Sequence, residues 1–295
     1  MAKERRSLNG KVVAITGGAQ GIGKATATAL VRKGCRVAIG DIDLALAEQT
    51  AAGLGGGTIA LPLDVTERSS FAGFIDEAAR QLGPVDVVIN NAGIMPVTAL
   101  VDESDDSIKR QLDINVYGVI VGTQLAIERM RPRGSGHIVN IASQAGKTAL
   151  PGIATYSGTK HAVVGICESV KAELRGSGVE VHCVMPTVVN TDLTAGLNQK
   201  LIPKVEAEDV ANEIVDALEV PRFDVWVPRA NGALFKVITL LPRGVRETIG
   251  RLMKIDKLMT EVDHGARRRY EERAAASRGD ATSETEKTSA EREAA

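Results

Sequence analysis

The chain has 295 residues, with 36 lysines and arginines against 37 aspartates and glutamates, so its formal net charge is −1. This length suits one large α/β domain plus an appendage, and the near-neutral charge gives no general electrostatic argument for nucleic-acid binding. Three scattered cysteines without metal-ligand spacing, no apolar stretch typical of a secretory signal in residues 1–10 and no run long enough to span a membrane predict a cytoplasmic protein.

Short runs rich in valine and isoleucine alternate along the chain with longer segments of helical spacing. The predicted strands are residues 12–15, 37–39, 59–63, 85–89, 137–141, 179–184 and 223–227. The predicted helices are residues 24–33, 44–54, 69–82, 104–131, 156–175 and 208–218. Because the strands are apolar on both faces, we expect a doubly wound α/β fold, a parallel sheet covered by helices on both sides.

The first strand runs into a glycine-rich turn at residues 16–23 (TGGAQGIG), and a helical segment follows. Glycines here allow a tight turn, remove Cβ atoms that would collide with a pyrophosphate, and leave N–H groups and the positive end of a helix facing the anion. No Gly-Lys-Ser/Thr closes the turn, which argues against a P-loop. We therefore predict a dinucleotide site in which the phosphates contact Gly17, Gln20, Gly21, Ile22 and Gly23.

Asp41 ends the second strand, where a carboxylate can accept hydrogen bonds from the hydroxyls of the adenosine ribose. A 2′-phosphate at that place would meet like-charge repulsion. The sequence therefore favours NAD over NADP, although Lys24 and Arg36 are near enough to keep NADP possible. A solvated turn carboxylate is the structural alternative for Asp41.

Polar or small residues also follow the third and fourth predicted strands. Asp64 and Val65 stand where an adenine ring could reach them, and Asn91, Ala92 and Gly93 offer small side chains and amides beside a cofactor. Turn chemistry alone could account for either group.

Tyr156 and Lys160 are four residues apart at the start of a helical segment, so they project from one face. A phenol has a pKa of about 10, and bringing it near 7 takes about 4 kcal/mol. A lysine ammonium and an oxidised nicotinamide, both cationic, can supply much of that in a cleft poor in water. We therefore predict Tyr156 as general base in alcohol oxidation and general acid in carbonyl reduction, with Lys160 lowering its pKa.

Two further polar residues complete the predicted catalytic group. Ser143 follows the fifth strand, where its hydroxyl can hydrogen-bond the substrate oxygen. Asn115 lies inside a long helical stretch, a poor place for asparagine, which holding a water that relays protons to Lys160 would justify. Each residue alone has a structural interpretation, but all of them in register with the glycine turn favour catalysis.

Together these residues resemble the short-chain dehydrogenase/reductase family, over about residues 8–228. The resemblance implies a single-domain Rossmann fold with a seven-stranded parallel sheet, hydride transfer with NAD(P) and without metal, and a homodimer or homotetramer. It implies catalytic roles for Asn115, Ser143, Tyr156 and Lys160. The cofactor contacts that it implies are Gly17, Ile22, Asp41, Asp64, Val65, Asn91, Tyr156, Lys160 and Thr191, to which we add Gln20, Gly21, Gly23, Ala92, Gly93, Pro186 and Val189.

Two features depart from the family pattern. Thr187 stands where the family usually has glycine, so the loop on the nicotinamide side is expected to be tighter or differently angled. The chain also continues well beyond Pro228. We divide this extension into a basic amphipathic helical segment at 229–273 and a polar tail at 274–295, expected to be disordered.

The residues expected to flank the cleft are almost all apolar, and no arginine stands among them to clamp a carboxylate or a phosphate. A hydrophobic alcohol or ketone, resembling a steroid, a retinoid or a lipid, therefore fits best. The predicted substrate-binding residues are Met95, Ser143, Ala145, Ile153, Tyr156, Met185, Val188 and Leu193.

The leading interpretation is an oxidoreductase that acts on a hydrophobic secondary alcohol or ketone with NAD(H). The alternatives are an NADPH-dependent 3-oxoacyl-thioester reductase and a non-catalytic nucleotide-sensing protein. The amphipathic segment at 234–259 could lie on an anionic membrane surface, or pack on the substrate mouth or on a sister subunit.

Overall fold

A computed structural model describes residues 5–197, 205–242, 244–246, 248, 262–263, 265, 267–268 and 270–272. Its strands are β1 (Val12–Thr16), β2 (Arg36–Asp41), β3 (Ile59–Pro62), β4 (Val87–Asn90), β5 (Gly136–Ile141), β6 (Val179–Pro186), β7 (Val189–Asn190), β8 (Val205–Glu206) and β9 (Asp224–Val227). Seven of them form one parallel sheet in the order β3-β2-β1-β4-β5-β6-β9, while β7 and β8 pair separately. The predicted Rossmann fold with a seven-stranded parallel sheet is confirmed.

Helices cover both faces of the sheet. They are α1 (Gly21–Arg32), α2 (Leu44–Leu54), α3 (Arg68–Leu82), α4 (Asp105–Leu112), α5 (Gly118–Met130), α6 (Ala154–Glu173), α7 (Ala207–Glu219) and α8 (Ala230–Leu240). One apolar core contains buried residues of α3, α5 and α6, and a second contains buried residues of α1, α2 and α7. The strands between these cores are buried on both sides, which explains why their sequences are continuously apolar rather than alternating.

The order of the strands reverses at β1, which pairs with β2 on one side and with β4 on the other. The loops that follow these two strands therefore diverge and leave a crevice at the carboxyl edge of the sheet. This reversal, the topological switch point of the sheet, sets the position of the candidate site.

The helical stretch predicted at residues 104–131 is interrupted. Between α4 and α5 the chain makes a π-helical turn, Asp113–Tyr117, that inserts an extra residue into the helical repeat. Hydrophobic spacing did not reveal this interruption, because α4 has few apolar residues and buries Ser107 and Gln111, whereas α5 buries an apolar face.

The carboxyl extension is described only in part. Helix α8 packs against the last strand of the sheet, with the rings of Trp226 and Phe235 separated by 5.0 Å. Beyond α8, the described residues include Arg267 and Tyr270, both buried. The predicted polar tail at 274–295 lies outside the described residues.

Candidate active site

A cleft of about 2480 Å³ opens at the carboxyl edge of the sheet, between the loops that follow β1, β2, β4, β5 and β6. Pockets for one small ligand usually measure about 300–1,000 Å³. The cleft therefore has room for a dinucleotide and a second molecule. Nearly all predicted cofactor residues line it: Gly17, Gln20, Gly21, Ile22, Asp41, Asp64, Val65, Asn91, Ala92, Gly93, Tyr156, Lys160, Pro186, Val189 and Thr191.

The glycine turn between β1 and α1 requires its glycines. Gly17 and Gly21 have φ values of 63° and 54°, in the left-handed region that favours glycine. A Cβ on Gly23 would collide with the main chain of Gly17 and lie 2.7 Å from the side chain of Asn91. Gly23 thus serves the packing of the turn rather than the wall of the cleft, while the N-terminus of α1 faces the opening. These features fit the phosphates of a dinucleotide.

Asn91 and Thr16 hold this turn against the loop after β4. The side-chain amide of Asn91 donates to the carbonyls of Thr16 and Gly17, both at 2.9 Å. The hydroxyl of Thr16 accepts from the N–H groups of Asn91 and Ala92, at 2.9 and 3.0 Å. The residues predicted as cofactor contacts at 91–92 therefore also fix the two loops relative to each other.

Asp41 lies at the end of β2 on the wall of the cleft. Its carboxylate accepts from the N–H groups of Ala19 and Asp43, at 3.1 and 3.2 Å. Burial nevertheless raises the pKa of this carboxyl, because these hydrogen bonds offset only part of the lost hydration. An acceptor held this rigidly can discriminate between a ribose hydroxyl and a phosphate.

Tyr156 and Lys160 lie in the first two turns of α6, and both are almost fully buried, at 8% and 5% exposure. The Nζ atom of Lys160 is 5.6 Å from the centre of the Tyr156 ring and donates to the carbonyl of Ile141 at 2.8 Å. Burial lowers the pKa of Lys160 to about 8. The ammonium therefore lies beside the phenol, close to the end of β5.

Ser143 follows β5 and faces Tyr156. A hydrogen bond between the two side chains lowers the pKa of Tyr156, but burial raises it by more. The hydroxyl of Ser143 also accepts from the N–H of Ala145 at 3.1 Å, which fixes its direction. In this structure the pKa of Tyr156 is thus raised, opposite to the direction that we expected from Lys160.

Asn115 lies in the π-helical turn and is completely buried. Its amide group bonds both the N–H and the carbonyl of Ile94, at 2.9 and 2.8 Å, and donates to the hydroxyl of Thr159 at 3.2 Å. A Cβ on Gly93 would lie 3.2 Å from the Asn115 oxygen and 3.7 Å from Nζ of Lys160. Asn115 therefore sits behind the active-site wall and holds the loop after β4, a contact that sequence reasoning did not foresee.

Apolar side chains surround the space beside Tyr156. The buried members of this cluster are Met95, Val97, Ala145, Ile153, Tyr156 and Leu197, with Leu150, Val188, Leu193 and Val262 packed against them. Of the predicted substrate residues, Met185 does not line the cleft. Its side chain is fully buried in the sheet core, because the alternation of β6 turns it inward.

Several residues of the cleft were not predicted. Gln144 donates to the carbonyl of Val227 at 3.1 Å and accepts from Asn231 at 3.0 Å, which ties the β5 loop to α8. Phe235 of α8 and Tyr270 of the carboxyl extension also line the opening. Only the apolar character of α8 signalled such a role. Nothing in the local sequence around Tyr270 marks it as part of the site.

Within the described part of the chain, no three histidine, cysteine, aspartate or glutamate side chains converge as they would around a metal ion. None of the described helices has both the length and the apolar character needed to cross a bilayer.

Comparison with known proteins identifies the family. Residues 11–202 match the family described as short chain dehydrogenase. Zerumbone synthase of Zingiber zerumbet is 36% identical over 246 residues, which cover 82% of this chain and 87% of the relative. The 17-beta-hydroxysteroid dehydrogenase 13 of Rattus norvegicus is 29% identical over 259 residues, which cover 86% of each protein.

Among solved structures, 3-ketoacyl-(acyl-carrier-protein) reductase from Brucella melitensis, complexed with NADH, superposes with a TM-score of 0.69 and 26% identity. The match covers 76% of this chain and 99% of that one. The chain therefore belongs to the short chain dehydrogenase family. It is an NAD(P)-dependent oxidoreductase that acts on alcohol and carbonyl groups.

Proposed function

We propose that this enzyme transfers a hydride between NAD(H) and a hydrophobic secondary alcohol or ketone, with Tyr156 as the general acid and base. The observation that carries the proposal is the meeting of Ser143, Tyr156 and Lys160 beside a glycine turn, in a pocket with apolar walls. A binding protein without turnover needs no such group of proton-handling side chains, which argues against the nucleotide-sensing alternative.

Each side chain has one task in this mechanism. The Tyr156 phenolate accepts the proton of the alcohol during oxidation, and the Tyr156 phenol donates its proton to the carbonyl oxygen during reduction. Ser143 hydrogen-bonds the same substrate oxygen and orients the reacting carbon. The dinucleotide, when bound, supplies the hydride acceptor or donor and, in its oxidised form, a positive charge. Lys160 adds its own charge beside Tyr156, and Asn115 keeps the loop after β4 at the correct distance.

The dinucleotide would lie along the residues predicted from the sequence, with its phosphates at the glycine turn and its adenosine ribose at Asp41. The left-handed φ values of the turn and the crowding at Gly23 support this arrangement. Because Asp41 is a carboxylate fixed by two backbone N–H groups, NAD is the preferred form over NADP.

The apolar cluster around Tyr156 favours a substrate that is apolar on both sides of its oxygen-bearing carbon. The similarity to a hydroxysteroid dehydrogenase supports the same class of substrate. The remaining alternative is a 3-oxoacyl-thioester reductase, which the similarity to the Brucella reductase supports. Since that reductase was complexed with NADH, the choice of coenzyme alone does not separate the two functions.

One panel separates them. Purified enzyme is mixed with NADH or NADPH and either apolar ketones or 3-oxoacyl thioesters, and absorbance is followed at the nicotinamide band. We expect NADH to be oxidised with the ketones and at most weak activity with the thioesters. Faster oxidation of either coenzyme with the thioesters than with the ketones would establish the alternative instead.

Assembly and location remain predictions from the sequence. We expect a homodimer or homotetramer in the cytoplasm. On α8, Leu234, Val237 and Leu240 are exposed by 53%, 60% and 85%, while Phe235 faces Trp226, so one face packs on the protein and the other stays open. A peripheral membrane contact through this open face predicts that truncation at Pro228 reduces co-sedimentation with anionic liposomes, and equal partitioning would contradict it.

A further inference from the structure

Arg267 and Tyr270 lie far from the glycine turn in sequence, yet Tyr270 lines the active-site cleft and Arg267 is buried against it. The side chain of Arg267 is 0% exposed. Its guanidinium donates to the carbonyls of Leu193 and Ala195, at 3.0 and 3.2 Å, and to the carbonyl of Met95. Glu271 forms an ion pair with it at 3.0 Å.

These carbonyls belong to two different loops. Met95 lies in the loop after β4, whereas Leu193 and Ala195 lie in the region after β6. Burying a guanidinium costs free energy unless its N–H groups are satisfied, and here the main chain of both loops satisfies them. Arg267 therefore joins the two loops that surround the apolar space beside Tyr156.

Tyr270 packs against Arg267 and lines the same apolar space. Its hydroxyl accepts from the N–H of Met95 at 2.7 Å, and its ring lies 4.9 Å from the guanidinium of Arg267. It lines the cleft together with Tyr156, and a negative charge on the Tyr270 phenol would raise the pKa of Tyr156, as expected for two neighbouring phenols. The ring of Tyr270 thus occupies part of the wall against which an apolar substrate would lie.

Residues that shortly precede Arg267 in sequence attach this part of the carboxyl extension to the rest of the protein. The N–H of Asp263 donates to the carbonyl of Gly196 at 2.9 Å. Gly196 has a φ of +76°, and a Cβ there would collide with the carbonyl of Asp263. Val262 packs on the apolar cluster that contains Tyr156. The segment is therefore attached at several points to the substrate side of the cleft.

We propose that Tyr270 is a specificity-determining residue that limits the length of apolar substrate admitted beside Tyr156, and that Arg267 is the positioning residue that holds it there. This inference rests on the proposed function for its class of substrate. It assigns a part of the substrate site to the extension, outside the residues that the family match covers.

Binding of a homologous series tests the proposal without turnover. Ketones from 2-butanone to 2-decanone are titrated calorimetrically onto protein saturated with NAD⁺, a combination that does not react. Each additional buried methylene should strengthen binding by about fourfold until the chain reaches Tyr270. Beyond that length, the affinity of the wild-type protein should stop rising.

In the Tyr270→Ala variant, the affinity should continue to rise with ketone length beyond the wild-type limit. The longest ketones should bind at least about tenfold more tightly than to the wild-type protein, as two more methylenes become buried, while 2-butanone and NAD⁺ bind unchanged. Tyr270→Phe keeps the ring and should keep the wild-type limit. Arg268→Ala, at the exposed neighbour of Arg267, is the matched control and should change nothing.

Arg267 is tested by the same length profile. Arg267→Gln should increase the ketone length at which the affinity stops rising, as Tyr270→Ala does. Arg267→Lys keeps a charged donor and should restore part of the wild-type limit. A merely structural role would weaken binding of all ketones by one common factor. That outcome in Tyr270→Ala, or an unchanged limit, would overturn the proposal.

Failure of the proposed function has a different signature. In that case the wild-type protein would bind ketones with the expected limit but would show no turnover of NADH with any of them. Absence of ketone binding in both the wild-type protein and Tyr270→Ala would contradict both proposals.

Discussion

Burial governs the ionisation of the residues at the centre of the site. It raises the pKa of Tyr156 and lowers that of Lys160 to about 8, so each side chain is driven towards its neutral form. At neutral pH, Lys160 is still mostly protonated. The neighbouring ammonium alone therefore does not lower the pKa of the phenol to near 7. The proposed mechanism also needs the second positive charge that we expected from the sequence, that of an oxidised nicotinamide.

A single substitution tests the coenzyme preference attributed to Asp41. Ala19 and Asp43 donate to different oxygens of the Asp41 carboxylate, so Asp41→Asn keeps the acceptor for one of these N–H groups and removes the negative charge. We expect the ratio of kcat/KM for NADPH over NADH to rise by at least about tenfold, because a 2′-phosphate no longer meets a carboxylate.

The control for this experiment is Asp43→Asn. Asp43 caps α2 through the N–H of Leu46 at 3.0 Å, and asparagine caps helices equally well. The control should leave the coenzyme ratio unchanged. A ratio that responds equally to both substitutions, or to neither, would show that Asp41 does not select the coenzyme.

At the scale of single elements, the sequence predicted the strands well and the long helix incompletely. Strands of a parallel sheet are buried on both faces, so their apolar runs are visible without knowledge of their neighbours. The π-helical turn at 113–117 leaves no such pattern, and the unusual position of Asn115 was its only signal. Met185 was misplaced because an apolar residue next to a cleft can face either the cleft or the core.

Strands β5 and β6 carry two histidines that make the fold sensitive to acid. Nδ1 of His137 lies 3.0 Å from Nε2 of His182, whose Nδ1 lies 2.7 Å from the carbonyl of Arg222. Burial lowers the pKa of His137 to about 3 and that of His182 to about 4. Both values lie below the unfolded value of about 6.5. The stability that these neutral rings contribute is therefore present above pH 6.5 and is lost as the pH falls towards 4.

Unfolding in urea at pH 7.5, 6.0 and 5.0 measures this dependence. Below pH 6.5 each histidine should lower the free energy of unfolding by up to about 1.4 kcal/mol per pH unit. His137→Gln should flatten the dependence, whereas the same change at His161, which is exposed on α6, should not. Parallel curves for wild-type protein and His137→Gln would contradict the assignment.

At the scale of the whole molecule, the sequence predicted the sheet and the main residues of the cleft, but not how the chain closes the cleft. The glycine turn and the Tyr156–Lys160 pair are local patterns whose spacing carries their meaning. Contacts of Tyr270 and Arg267 join residues more than seventy positions apart. Such contacts depend on docking of the extension, which no local pattern encodes.

The most direct test of the whole account is the Tyr156→Phe variant, assayed for both NADH binding and turnover with an apolar ketone. We expect the affinity for NADH to be unchanged and kcat/KM to fall by about 10³-fold, the contribution of a positioned general acid. Tyr117→Phe, at a tyrosine exposed by 45% in the π-helical turn, is the matched control and should retain full activity. Undiminished turnover in Tyr156→Phe would contradict the account.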